Sequence, residues 1–273
     1  MKNFKRAAAI LGAVLLLLIF CLPMIFAFGD SEGSQSAFKG ALAAAIMVPV
    51  MAYIFLLGFR FFGKNKSEEE KEHMIENIVF DVGKVLVEYD WESYLKGFGF
   101  SEEKYEKIAE AVFKSRVWDE RDRGLYEEEE YLRQFCAAAP EYEADIREVM
   151  RRSPETIHTF DYAETWVKYL KNQGYHLYIL SNYSLFMLDQ TKEKLPFLKY
   201  MDGIVFSCEV KELKPEAGIY QKLLQQYHLE PGKTVFLDDR KENCKGAQAL
   251  GIHAICFKSF KQAAAELEKL GVK

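Results

Sequence analysis

Downstream of residue 76, polar groups with chemical potential follow apolar runs at wide intervals. Ile78-Val79-Phe80 ends at Asp81 and passes through Gly83 and Lys84 into Val85-Leu86. Leu177 to Leu180 ends at Ser181-Asn182, Lys214-Pro215 opens a helical stretch, and Thr234 to Leu237 ends at Asp238-Asp239. Taken singly, these groups are ambiguous. A carboxylate after a strand can be a metal ligand, a nucleophile or a turn former, and Ser-Asn is also a good turn pair. Paired acids after an apolar strand suit a hard cation, because Mg²⁺ takes oxygen ligands and keeps several waters. In order, the groups supply a carboxylate, a hydroxyl with an amide, a cation and two further carboxylates. Those are the parts for phosphoryl transfer: a nucleophile, oxygen-binding donors, a charge clamp and a magnesium site.

Such groups need a scaffold that gathers them. Short apolar runs at 77–80, 176–180, 203–206, 234–237 and 253–257 read as buried strands. Helical patterns lie between or after them, at Tyr162–Gln173, Ala217–Tyr227 just after Pro215, Lys241–Leu250 and Gln262–Leu270. Strands alternating with helices mean βαβ units and an α/β, Rossmann-like parallel sheet. Right-handed crossovers bring the strand carboxyl ends to one edge, where an open α/β sheet builds its site. One interval breaks the rhythm: residues 92–158 read as helices, with Ser101-Glu102-Glu103 a good helix start. This is an insertion after the first strand, a helical cap over about 90–160. In it, Arg121, Asp122, Arg123 and Gly124 form a polar turn between helices, a candidate substrate-reading loop. Trp91, Trp118 and Trp166 read as core residues rather than ligand platforms.

The N-terminal part has another character. Ala7 to Gly29 and Ala37 to Phe62 are apolar stretches, each exceeding the ~20 residues that span a bilayer, and Pro23 and Pro49 are tolerated there. Lys2, Lys5 and Arg6 precede the first stretch, and Arg60, Lys64 and Lys66 close the second. The excess of basic residues at both outer flanks places both termini in the cytoplasm. The expectation is a two-helix transmembrane hairpin at 1–66, a linker at 67–75, and a domain at 76–273 on the cytoplasmic side of the cell membrane. A cleaved signal peptide ending near Ala27-x-Gly29 is the rival reading, and it leaves the second span in place. Residues 1–66 carry a net charge of +5, which leaves −10 for the remainder of a chain of net −5. An acidic domain argues against nucleic acid as a partner. Hydrophobic residues at 49% and charged residues at 28% provide for a sizeable core and exclude general disorder. The five cysteines are scattered without a CxxC pair, so neither a disulfide framework nor a zinc site is indicated.

The segments FDVGKVL, LSN, LKP and FLDD, the last followed by EN, GA and LG, resemble the four motifs of the haloacid dehalogenase-like (HAD) hydrolase superfamily. The resemblance covers about residues 76–258 and is closest to the phosphatase-like branch with a helical cap after the first motif. It implies that Asp81 attacks phosphorus and forms an aspartyl-phosphate, while Mg²⁺ is held by Asp81, the Gly83 carbonyl, Asp238 and Asp239. It implies that Ser181 and the Asn182 amide bind phosphoryl oxygens, that Lys214 neutralises charge, and that Glu242 and Asn243 buttress the last loop. The implied function is Mg²⁺-dependent phosphatase activity on a small phosphorylated metabolite. The departure is Gly83, where many relatives carry a second Asp as general acid–base, a role typically worth ~10²–10⁴-fold. The alternative is therefore a catalytically weak, membrane-tethered module that senses phosphate or a partner. A dehalogenase also uses an Asp nucleophile without that second acid, but no halide pocket is evident in the sequence. Lys84 adds a positive charge beside the phosphate position and is a candidate substrate contact.

Overall fold

The computed structural model describes residues 74–273, with Lys39, Leu42, Val50 and Tyr53 as single positions. The chain divides into Met1–Glu72 and His73–Lys273. The expected hairpin at 1–66 and most of the linker lie outside the described residues. Among the described residues, no helix is long and apolar enough to cross a membrane.

The second unit is built on five parallel strands: β1 (Asn77–Phe80), β4 (His176–Ser181), β5 (Gly203–Phe206), β6 (Thr234–Asp238) and β7 (His253–Cys256), in the order β5-β4-β1-β6-β7. Each follows the apolar run expected of it to within a residue. β1 and β6 are buried along their whole length because helices cover both faces. Ile78 and Phe80 face one way, into a core with Trp166, Val167 and Leu170 of one helix and Ala263 and Leu267 of the last. Val79 faces the other way, toward Ile219, Tyr220, Leu223 and Ala247. This alternation across a pleated strand makes three layers.

The chain leaves β1, builds β4 and β5 on one side, then returns to build β6 and β7 on the other. The order reverses at β1, so a crevice opens at its carboxyl end. Register decides what lines it. Phe80 pairs with Ile179 on one side and Leu237 on the other. Asp81 and Asp238 therefore leave the sheet side by side, with Ser181 one residue beyond.

The cap comprises α1 (Trp91–Lys96), α2 (Glu102–Ala111), α3 (Arg116–Arg123), α4 (Glu128–Ala138) and α5 (Glu143–Arg152). Asp90, Ser101 and Ser115 cap the first three, each accepting a bond from the backbone N–H three residues on. The cap has its own core of Leu95, Ile108, Val112, Phe135, Ile146 and Val149. It joins the sheet domain through a short antiparallel pair, β2 (Val87–Tyr89) with β3 (Ile157–Thr159). Three residues are too few to show alternation, so this stalk was not visible in the sequence pattern.

The remaining helices are α6 (Ala163–Asn172), α7 (Leu185–Thr191), α8 (Ser207–Val210), α9 (Ala217–Tyr227), α10 (Lys241–Gln248) and α11 (Phe260–Lys269). α10 crosses close to the turn at Pro215. A Cβ at Gly246 would stand 2.8 Å from the Pro215 carbonyl oxygen and 3.0 Å from the Tyr220 ring. Alanine in an open helix is favoured over glycine by up to about 1 kcal/mol. Here the crowded backbone reverses the sign, and Gly246→Ala is expected to cost about 1–3 kcal/mol. Urea unfolding of residues 74–273 checks this; an unchanged or raised midpoint would contradict it.

Candidate active site

Asp81 terminates β1 and is buried, as are Ser181, Lys214, Asp238 and Asn243. Three donors converge on one Asp81 oxygen, Oδ1: the Val82 N–H at 2.7 Å, Ser181 Oγ at 2.7 Å and Lys214 Nζ at 2.9 Å. Among the described residues none donates to Oδ2. Lys214 Nζ also meets Asp238 Oδ2 at 2.6 Å, so one ammonium bridges two carboxylates. The Asn243 amide donates to both Asp238 oxygens at 3.0 Å, and the Arg240 N–H donates to Oδ1 at 2.8 Å. Of the expected buttressing pair, Asn243 has that role, while Glu242 points to solvent.

The turn that presents Lys214 is held by Asn182. Its Nδ2 donates to the Lys214 carbonyl at 3.1 Å, and its Oδ1 accepts from the Lys214 N–H at 2.9 Å. The Asn182 side chain is thus committed to positioning Lys214, which leaves its backbone amide for the role expected of it. Lys84 has φ 56° and is exposed, and its N–H closes a tight turn onto the Val87 carbonyl at 2.7 Å. It does not line the cavity at Asp81. Burial and Asp238 push the Asp239 carboxyl up, and Lys84 pulls it down.

Asp81, Asp238 and Asp239 offer ligand atoms within 4.8 Å of one another. Three carboxylates stand against one buried lysine, so with all acids ionised the cluster lacks about two positive charges. Burial pushes Asp81 up to about 7, Lys214 pulls it down, and Asp238 pushes it up again. Lys214 is raised although burial opposes its charge, because both acids hold the proton on it. All-oxygen donors with a net deficit of positive charge fit a divalent hard cation.

A cavity of about 110 Å³ lies between this cluster and the cap. Gly83, Ser181 and Asn182 line it from the sheet, and Tyr89, Trp118 and Asp122 from the stalk and cap. A larger groove of about 480 Å³ runs between β7 and α11, away from the strand carboxyl ends and from these groups. The polar turn 121–124 divides in its placement. Arg121 is buried and turned away from the cavity, its guanidinium paired with Glu128 at 2.6 Å and stacked 5.2 Å over Trp118. Asp122, its neighbour, lines the cavity instead. Trp91 and Trp166 are core residues, stacked on Phe113 and set edge-on to Phe80, whereas Trp118 also borders the cavity. Tyr89 carried no sequence signal, since only the stalk pairing brings it to the site.

Residues 78–257 match the family model described as haloacid dehalogenase-like hydrolase. The chain is 26% identical over 157 residues to flavin mononucleotide hydrolase 1 of Arabidopsis thaliana, covering 57% of this chain and 62% of that protein. It thus spans less than two thirds of that relative. It is 24% identical over 197 residues to D-ribitol-5-phosphate phosphatase of Bacteroides thetaiotaomicron, covering 65% of this chain and 89% of the relative. Among solved structures, a HAD family enzyme of B. thetaiotaomicron in complex with magnesium and inorganic phosphate superposes with a TM-score of 0.55. The two are 23% identical, over 68% of this chain and 96% of the other.

The raised acids set a pH dependence. Asp81 moves from 3.8 to about 7, so the folded chain binds an extra proton between those values. Stability from that proton is complete below about pH 4 and is lost as pH rises through 7. Asp239 is raised too and acts in the same sense. Without divalent metal, the melting temperature is expected to fall between pH 5 and pH 8. Added Mg²⁺ should restore it, more at pH 8, because a cation binds the ionised acids. Thermal scans at both pH values, with EDTA and with Mg²⁺, read the effect, and an equal Mg²⁺ response at both would contradict it.

Proposed function

The chain belongs to the haloacid dehalogenase-like hydrolases, and from that premise we propose that it is a Mg²⁺-dependent phosphatase of small phosphorylated metabolites. The observation that carries this reading is the single buried lysine shared by Asp81 and Asp238, with Asp239 alongside. Phosphatase relatives and a similar structure holding magnesium and phosphate support it.

In this reading Asp81 Oδ2, the oxygen that no described group holds, attacks phosphorus and an aspartyl-phosphate forms. Ser181 and the Asn182 N–H meet phosphoryl oxygens, and Lys214 offsets the charge that builds between them and Asp81. Asp81, Asp238, Asp239 and the Gly83 carbonyl would hold the metal, which when bound supplies charge neutralisation to the transferring phosphoryl group. The small cavity and its aromatic border of Tyr89 and Trp118 favour compact substrates.

Asp81→Asn is expected to reduce Mg²⁺-dependent phosphate release from p-nitrophenyl phosphate, and from a panel of phosphometabolites, to background. Wild-type rates in that variant would refute the assignment. Wild-type protein that binds Mg²⁺ and phosphate but turns over nothing in the panel would instead favour the sensing module.

Location is part of the proposal. The apolar stretches at 7–29 and 37–62, with their basic flanks, support a hairpin that holds this domain at the cytoplasmic face of the cell membrane. The full chain is expected in the membrane fraction after alkaline carbonate washing, with the domain degraded by protease only in inside-out vesicles. Release by carbonate, or degradation in right-side-out vesicles, would overturn it.

A further inference from the structure

Breaking a phosphomonoester expels an alkoxide, which needs a proton, and hydrolysing the acyl-phosphate needs a base to take one from water. Among the described residues, the sheet side of the cavity offers no free acid or base for either task. Lys214 is locked between two acids. The Ser181 hydroxyl is donated to Asp81, and the Tyr183 hydroxyl is shared with Thr191 at 2.8 Å. Ser184 caps α7. Gly83 has no side chain, although nothing lies within 4 Å of where its Cβ would be, so lack of space does not explain the missing acid.

The cap brings one. Asp122 lines the cavity, and no described residue hydrogen-bonds to its carboxylate or pairs with it. Its backbone, by contrast, is clamped to the sheet domain. Ser207 Oγ donates to the Asp122 carbonyl at 2.6 Å and itself accepts from the Tyr183 N–H at 2.9 Å. Next to it, Arg123 pairs with Glu216 at 2.6 Å, and Lys211 Nζ donates to the Gly124 carbonyl. Gly124 closes α3 with φ 68°, where a Cβ would press on the Cys208 backbone at 3.1 Å. Such close approach with a left-handed φ calls for glycine. Three polar links and one close contact thus hold an unpartnered carboxyl at the cavity.

We propose that Asp122 is the general acid–base of the reaction, supplied by the cap in place of a second acid after Asp81. The proposal rests on the aspartyl-phosphate reading above. Asp81 Oδ2 forms a bond to phosphorus as the bond to the ester oxygen breaks. The departing alkoxide takes the Asp122 proton and leaves as the alcohol. The Asp122 carboxylate then takes a proton from water as the water oxygen bonds to phosphorus and the Asp81–phosphorus bond breaks. Phosphate leaves, and Asp81 ionised and Asp122 protonated are restored. Burial pushes the Asp122 carboxyl up to about 7, with Arg121, Lys214 and Arg240 pulling it down and Asp119 pushing it up. An acid in that range both gives and takes a proton near neutral pH. Tyr89, the other cavity group with a free hydroxyl, is driven well above the ordinary phenol range by burial and does not ionise to serve as the base.

The test is leaving-group dependence. With Mg²⁺ and the full chain in detergent, phenyl, p-nitrophenyl and 2,4-dinitrophenyl phosphates present leaving groups of falling basicity. Asp122→Asn is expected to slow phenyl phosphate turnover by on the order of 10²–10⁴-fold. It should spare formation of the acyl-phosphate from 2,4-dinitrophenyl phosphate, seen as a burst of one dinitrophenolate per site. Asp122→Glu, which keeps an acid, should retain the wild-type dependence on leaving group, and thermal unfolding verifies that both variants fold. Phenyl phosphate turnover within about threefold of wild type in the folded amide variant would overturn the proposal. So would an equal slowing of the first-turnover release of alcohol from all three esters, or a steeper leaving-group dependence of that step in Tyr89→Phe but not in Asp122→Asn. Retained activity in Asp81→Asn is a separate result, which removes the nucleophile reading itself.

Discussion

Lys214 stands buried between Asp81 and Asp238, and the rest of the site depends on that contact. Charges buried in this way are costly unless each is paired and its remaining hydrogen-bonding capacity is met. The surroundings meet it piece by piece. Ser181 and the Val82 N–H serve Asp81, Asn243 and the Arg240 N–H serve Asp238, and Asn182 brackets the backbone of Lys214. Gly246 lets α10 approach the turn that follows Lys214. What is left over is negative charge, and a divalent cation is what the donor set fits.

The sheet supplies the place for this cluster. Strand order reverses at β1, so the residue after Phe80 enters an open crevice rather than a packed sheet. The cap then divides the work with the sheet domain. The sheet side holds charge and metal-binding oxygens, while the cap side carries aromatic surface and the Asp122 carboxyl. Each part has its own apolar core, and the two are joined by the β2–β3 stalk. That arrangement lets the two walls of one small site differ in chemistry.

Much of this was legible beforehand. The five sheet strands are short, mostly apolar and bounded by polar turns, and such runs announce buried parallel strands. The motif residues follow the strands or precede a helix, so their convergence followed from topology alone. Other features were not legible. β2 and β3 are too short for any pattern, and α7 and α8 fall where the sequence pattern marked no element. The turn 121–124 drew notice for its charges, but nothing local separated Arg121, which turns inward to Glu128, from Asp122, which lines the cavity. Lys84 drew notice for its charge and turned out to be an exposed turn residue.

By itself, then, the sequence determined the parallel α/β core, the inserted cap and the set of groups at the strand ends. Apolar periodicity and turn chemistry are local properties, and the order of the strands constrains their pairing. Only the tertiary structure decided which charges neutralise one another, that Asn182 positions Lys214, and that Asp122 of the cap lines the same cavity as Gly83. Those outcomes depend on side chains from segments dozens to more than a hundred residues apart, whose distances and burial exist only once the chain has folded.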